Sequence, residues 1–255
     1  MRERDHIRIG NAVINAYGAM IAPVSSDVLQ GFRDGSILPD NEKPYRTAAH
    51  HHSRELDIVW LITRGRQEFL NNNLGLSAKY LGAAFHFIAD GTCPSTKDGA
   101  TVHRVWEQKV SKIRLPDMPA GGTKFEIRTP SQLSKLTFSK TSANPEASIT
   151  NSINMCYAIL ELAWRPLDRL TAEEQLSISK AKAVMPSKSS KFISNIIGVL
   201  CLALFFGSII VTSRGYSPWF FIGMLPFPLY SVAYLYSESR EKKAKFLNEW
   251  YRFSK

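Results

Sequence analysis

Two histidine–carboxylate pairs carry the chemistry this chain could do. His86 and Asp90 stand four residues apart in Tyr80 to Pro94 (YLGAAFHFIADGTCP), and His103 and Glu107 repeat that spacing in Val102 to Ile113 (VHRVWEQKVSKI). On a helix, positions i and i+4 lie on one face, so each pair would present an imidazole beside a carboxylate. The other histidines are His6, His50, His51 and His52, so all six fall within the first 103 residues. Neutral imidazole and carboxylate are donors that suit zinc. Each piece has a plainer reading by itself: a hydrogen-bonded core histidine for His86, a surface helical pair for His103 and Glu107, a solvated helix start for the histidine triplet. Their joint occurrence favours a metal site.

The elements that must position these groups read as helices. Apolar residues at Ile9, Ala12, Val13, Ala16 and Ala19 or Met20 predict an amphipathic helix over His6 to Ala22, ending before Pro23. Ser25 or Ser26 is expected to cap a short helix through Phe32. The glycine and proline of Asp34 to Asp40 (DGSILPD) predict a turn, which puts Asp40 on a loop. Ala48 to Leu70 predicts a third helix that opens on the three histidines. Ser77 is the expected cap of the helix carrying His86, whose apolar stripe is Tyr80, Leu81, Ala84, Phe85 and Ile88. After the helix of His103, the Pro-, Gly-, Ser- and Lys-rich stretch Leu115 to Ala147 reads as a surface excursion, with strand-like alternation only at Lys124 to Arg128. Helices are expected again over Ser148 to Trp164 and Thr171 to Ala183, before a linker rich in Ser and Lys.

Taken in order, these motifs resemble the zinc-dependent phospholipase C superfamily, which includes single-strand nucleases. The resemblance rests on His6-Ile7-Arg8-Ile9, Gly35 to Asp40 (GSILPD), a histidine among His50, His51 and His52, Leu81 to Asp90 (LGAAFHFIAD) with Pro94, and His103 to Glu107. It implies a mainly α fold, a compact multi-helix bundle holding two or three zinc ions. It also implies ligands at His6, Asp40, one of His50 to His52, His86, Asp90, His103 and Glu107, with Asp90 bridging. The activity implied is phosphodiester hydrolysis by metal-activated water with Asp40 as general base. A phospholipid head group is the expected substrate. A single-strand nuclease is the alternative, favoured by the basic charge and the lysines between Lys109 and Lys140, and a non-catalytic membrane protein with structural zinc is a third reading.

Composition adds a second expectation. Phe192 to Ser213 and Gly215 to Ser237 contain no charged residue over 22 and 23 positions, each long enough to cross a hydrocarbon core of about 30 Å as a helix. Basic residues flank them: Lys180, Lys182, Lys188 and Lys191 before, Arg240, Lys242, Lys243, Lys245, Arg252 and Lys255 after, in a chain of net charge +10. Two transmembrane helices over 192–237 are therefore expected to follow a helical domain (1–186) and a linker (187–191). A basic tail (238–255) completes the chain. The positive-inside rule predicts that the catalytic domain of an integral membrane protein faces the cytoplasm. The opening residues lack the apolar core of a signal peptide, in keeping with that orientation. Cys93, Cys156 and Cys201 are too far apart for a disulfide framework or a paired-thiolate metal site.

Overall fold

The computed structural model describes residues 1–20, 24–41, 55–93, 100–115, 127, 129–133, 144–184, 200–201, 203 and 226–252. Among them all regular structure is helical: α1 (Glu3–Met20), α2 (Ser26–Asn41), α3 (Glu55–Leu70), α4 (Leu74–Gly91), α5 (Ala100–Val110), α6 (Pro130–Leu133), α7 (Pro145–Ala163), α8 (Ala172–Val184) and α9 (Pro226–Tyr251), with a short 3-10 turn at Leu167–Arg169. The chain divides into two compact units, Met1–Thr171 and Ala172–Lys255.

In the first unit α4 is the central element. Every residue from Leu81 to Gly91 is buried, as expected of a helix that is apolar nearly all round, and α1, α2, α3 and α7 pack against it. The contact with α2 is the closest. A Cβ at Gly31 would lie 2.2 Å from the Gly75 carbonyl oxygen, one at Gly35 2.1 Å from that of Lys79, and one at Gly82 2.6 Å from that of Phe32. The two backbones touch because these positions have no side chain.

That contact explains a difference from the sequence reading. Gly35 and Pro39 predict a turn, yet α2 runs on to Asn41 with Pro39 inside it, and Asp40 stands in its last turn. Gly35 serves there as a flat packing surface, and burial of Gly31, Phe32, Gly35 and Ser36 against neighbouring helices holds the helix past its weak residues. Ser77 likewise is no cap. The helix starts three residues earlier, and the buried Ser77 Oγ donates to the Gly65 carbonyl (2.7 Å) and accepts from Trp164 Nε1 (2.8 Å), joining α3, α4 and the end of α7. Helix α7 starts at Pro145 because Asn144 Oδ1 accepts the amide N–H of Glu146 (2.9 Å) and proline suits the first turn. At its other end the buried Arg66 donates to the carbonyls of Ala163 (2.9 Å) and Arg165, where a cation complements the helix C-terminus.

The C-terminal expectation is corrected. Pro226 and Pro228 fit only a first helical turn, and α9 begins at Pro226 and continues through the charged segment Glu238 to Lys245. Among the described residues α9 carries Pro226 to Ser237 of the second apolar run, about 18 Å of helix against the roughly 30 Å needed to span. Among the described residues no helix is long and apolar enough to cross a membrane. The two transmembrane helices, and the integral membrane protein with a cytoplasm-facing domain that they implied, are withdrawn on that finding. Residues 192–199, 202 and 204–225 lie outside the described residues. In this second unit α8 and α9 pack together, burying Ala181, Ala244, Leu247 and Trp250, and Tyr251 donates its hydroxyl to the buried Glu174 carboxylate (3.0 Å).

A methyl group at Gly35 would have to displace the α4 backbone at Lys79 and Ala83. Gly35→Ala is expected to lower the stability of the first unit by about 2–3 kcal/mol, read by urea unfolding followed through circular dichroism. A change below about 0.5 kcal/mol would contradict the close α2–α4 contact.

Candidate metal centre

Three helices converge on one buried carboxylate. Helix α4 places His86 and Asp90 one turn apart, and His86 Nε2 lies 3.1 Å from Asp90 Oδ2. Helix α1 contributes His6, with Nε2 3.2 Å from Asp90 Oδ1. Helix α2 brings Asp40, whose Oδ1 is 3.7 Å from His86 Nε2. The His6 and His86 rings stack with centroids 3.7 Å apart and planes 16° apart. His6, His86 and Asp90 are buried, whereas the Asp40 side chain keeps 34% of its exposure, so the cluster meets solvent on the Asp40 side.

The backbone sets the chemistry of His86. Its Nδ1 is 2.7 Å from the Ser36 carbonyl oxygen, which can only accept a hydrogen bond, so Nδ1 carries the proton and Nε2 turns toward the carboxylates. Ser36 is held in turn by its hydroxyl, which donates to the Phe32 carbonyl (2.8 Å).

Burial, and after it the neighbouring His86 ring, pushes the His6 pKa down to about 4, so His6 is neutral near pH 7. Burial alone would lower His86 as well, but Asp90, by charge and hydrogen bond, and then Asp40 carry its pKa above the usual value. The Met1 amino group donates to Asp90 Oδ1 (3.0 Å) and lies 3.6 Å from Glu107 Oε1. Burial opposes its charge, yet Asp90 and then other neighbouring groups hold its pKa up at about 11. Arg2 Nε is 3.8 Å from Glu107 Oε2. The negative charge at Asp90 is thus balanced from α4 and from Met1, while His6 stays neutral.

His6, Asp40 and His86 each offer a ligand atom within 4.8 Å of the others, and this buried group could hold a metal ion. Within this group His86 Nε2 and Asp40 Oδ1 are 3.7 Å apart, close to the roughly 3.3 Å that separates two ligands about 2.0–2.1 Å from a shared tetrahedral ion. His6 Nδ1 is buried and has no hydrogen-bond partner among the described residues, as a ring held chiefly for a ligand would be. Burial pushes the Cys93 thiol up to about 12, so without a metal ion beside it Cys93 stays protonated near neutral pH.

Of the residues singled out from the sequence, the structure brings together His6, Asp40, His86 and Asp90, with Glu107 joined to them through Met1. His50, His51 and His52 lie outside the described residues, as does the side chain of His103. Sequence reasoning missed the Met1 amino group and the Ser36 carbonyl. Both are backbone groups, for which no side-chain pattern supplies a signal.

No family model, no curated protein and no solved structure matches this chain. The geometry therefore carries the functional reading.

Added zinc is expected to raise the unfolding free energy by about 2.7 kcal/mol at a hundredfold excess over Kd. His86→Ala should abolish the increment, as read by thermal melts with zinc and with chelator. An unchanged increment would place the metal elsewhere.

Proposed function

We infer that this chain is a zinc-dependent phosphoric diester hydrolase of the phospholipase C type, releasing phosphorylated head groups from phospholipids. The observation that carries the reading is the convergence of His6 and His86 on the two oxygens of Asp90, with a second carboxylate, Asp40, on the side open to solvent. The order of motifs, from His6 through Gly35 to Asp40 and on to Leu81 to Asp90, supports the same class. Two or three ions are the stoichiometry that the motif set implies.

His6, Asp40, His86 and Asp90 would hold the metal, joined by Glu107, His103 and one of His50 to His52. Zinc there would supply a Lewis acid that makes water nucleophilic near neutral pH and offsets the phosphodiester charge. The rest is the work of the chain. The Ser36 carbonyl keeps a proton on His86 Nδ1, so the proton a bound metal would displace is the one on Nε2, the nitrogen that faces the carboxylates. Burial keeps His6 neutral and ready to ligate without first losing a proton. Asp90 is held between two imidazoles and the Met1 amino group, which fixes its orientation. Asp40, at the rim, accepts the proton from the attacking water as general base.

Purified protein assayed on mixed phospholipid vesicles should release head groups in a chelator-sensitive reaction. Asp40→Asn should lower the rate about 10²- to 10⁴-fold while elemental analysis shows zinc retained. Chelator-sensitive cleavage of single-stranded DNA or RNA with vesicles left intact would move the assignment to a nuclease. A zinc content near zero in purified protein would remove the reading altogether.

A further inference from the structure

The second unit carries a basic groove that the metal centre does not use. Between α8 and α9 lies a cavity of about 290 Å³ whose floor is Ala181, Ala244 and Leu247 and whose lining includes Lys180, Arg240 and Lys243. The floor is buried, while the three cations are exposed.

Neighbouring carboxylates do not neutralise these cations. Glu238 pairs with Lys242 (2.8 Å) and Glu241 with Lys245 (3.0 Å), each one turn along α9, and Glu174 is buried against Tyr251. Lys180, Arg240 and Lys243 take part in no ion pair among the described residues. The unit as a whole holds eleven Lys and Arg against five Glu and no Asp, so the field at the groove is positive.

Exposed apolar side chains stand next to the lining residues in sequence. Leu176 lies one turn before Lys180 on α8 and is 53% exposed, and on α9 Leu235 and Tyr236, 64% and 65% exposed, come one turn before Arg240. Arg240 lies over the Tyr236 ring, 5.6 Å from its centroid, which covers one aromatic face that a nucleic-acid base would otherwise stack on. Unpaired cations above an apolar floor, edged by leucine and tyrosine, match the boundary between anionic head groups and acyl chains.

We propose that the α8–α9 groove is a peripheral docking surface for anionic phospholipid, with Lys180, Arg240 and Lys243 on the phosphate-bearing head groups and Leu176, Leu235 and Tyr236 at the acyl boundary. The contact is one of surface adsorption and needs no spanning helix. It stands on the second unit alone and holds whether or not the first unit is a hydrolase.

The test is vesicle flotation of the full chain on phosphatidylcholine, with and without about one third phosphatidylserine. The anionic vesicles should bind more tightly. Lys180→Ala/Arg240→Ala/Lys243→Ala should weaken that binding about a hundredfold, from three charges each near the surface. Lys180→Gln/Lys243→Gln, which keeps the Arg240–Tyr236 contact, should weaken it at least tenfold. Lys242→Ala/Lys245→Ala removes two cations that are paired outside the groove and should change it less than threefold. Equal losses in the groove and control variants would show diffuse charge and overturn the groove. So would equal binding to neutral and anionic vesicles, or a triple variant that loses single-stranded DNA binding but keeps vesicle binding.

Discussion

The backbone contact between α2 and α4 is the constraint on which the first unit depends. Gly31 and Gly35 on one helix and Gly82 on the other leave no room for a Cβ, so the two chains approach to the distance of carbonyl against Cα. At that separation the Ser36 carbonyl reaches His86 Nδ1, and the last turn of α2 delivers Asp40 to His86 Nε2. Any wider spacing would break both contacts at once, because neither a backbone carbonyl nor a short aspartate side chain can extend to follow. Phe32, packed on Phe85 and edge-on to Trp164, then fills the space beside the crossing.

A buried carboxylate is the electrostatic counterpart of that steric constraint. Asp90 lies out of reach of water, where an uncompensated charge costs several kcal/mol, and the fold surrounds it with His6, His86 and the Met1 amino group. The hydroxyl network beneath it, Thr92 on the Ala89 carbonyl and Ser148 on that of Thr92, fixes the end of α4 against α7. The imidazoles are thereby presented in a fixed arrangement, which is what a metal ion with a preferred geometry requires.

The two units place charge in opposite ways. The first gathers buried carboxylate and imidazole around a point, with exposure only at Asp40. The second leaves its cations at the surface, above a floor of small and apolar residues shared by α8 and α9. Its apolar runs suggest spanning helices, but among the described residues α9 carries the second run only from Pro226 to Ser237 and then continues through the charged segment Glu238 to Lys245.

The helices themselves were largely legible in the residues. Periodicity placed α1, α4, α5, α7 and α8 to within a few positions and the end of α3 at Leu70, the expected start of α3 at Ala48 lying outside the described residues, and the spacing of His86 and Asp90 put them on one helical face, because these are local properties of a chain with 3.6 residues per turn. Legibility failed at Gly35, Pro39 and Ser77, where local propensity points to a turn and a cap while burial against another helix rewards continuation. It failed also for Met1 and Ser36, which act through backbone atoms. The sequence by itself determined which donors exist and which pairs share a turn. Tertiary structure alone decided that His6, Asp40 and His86 meet around Asp90, because their separations of tens of residues are closed only by the packing of α1 and α2 on α4.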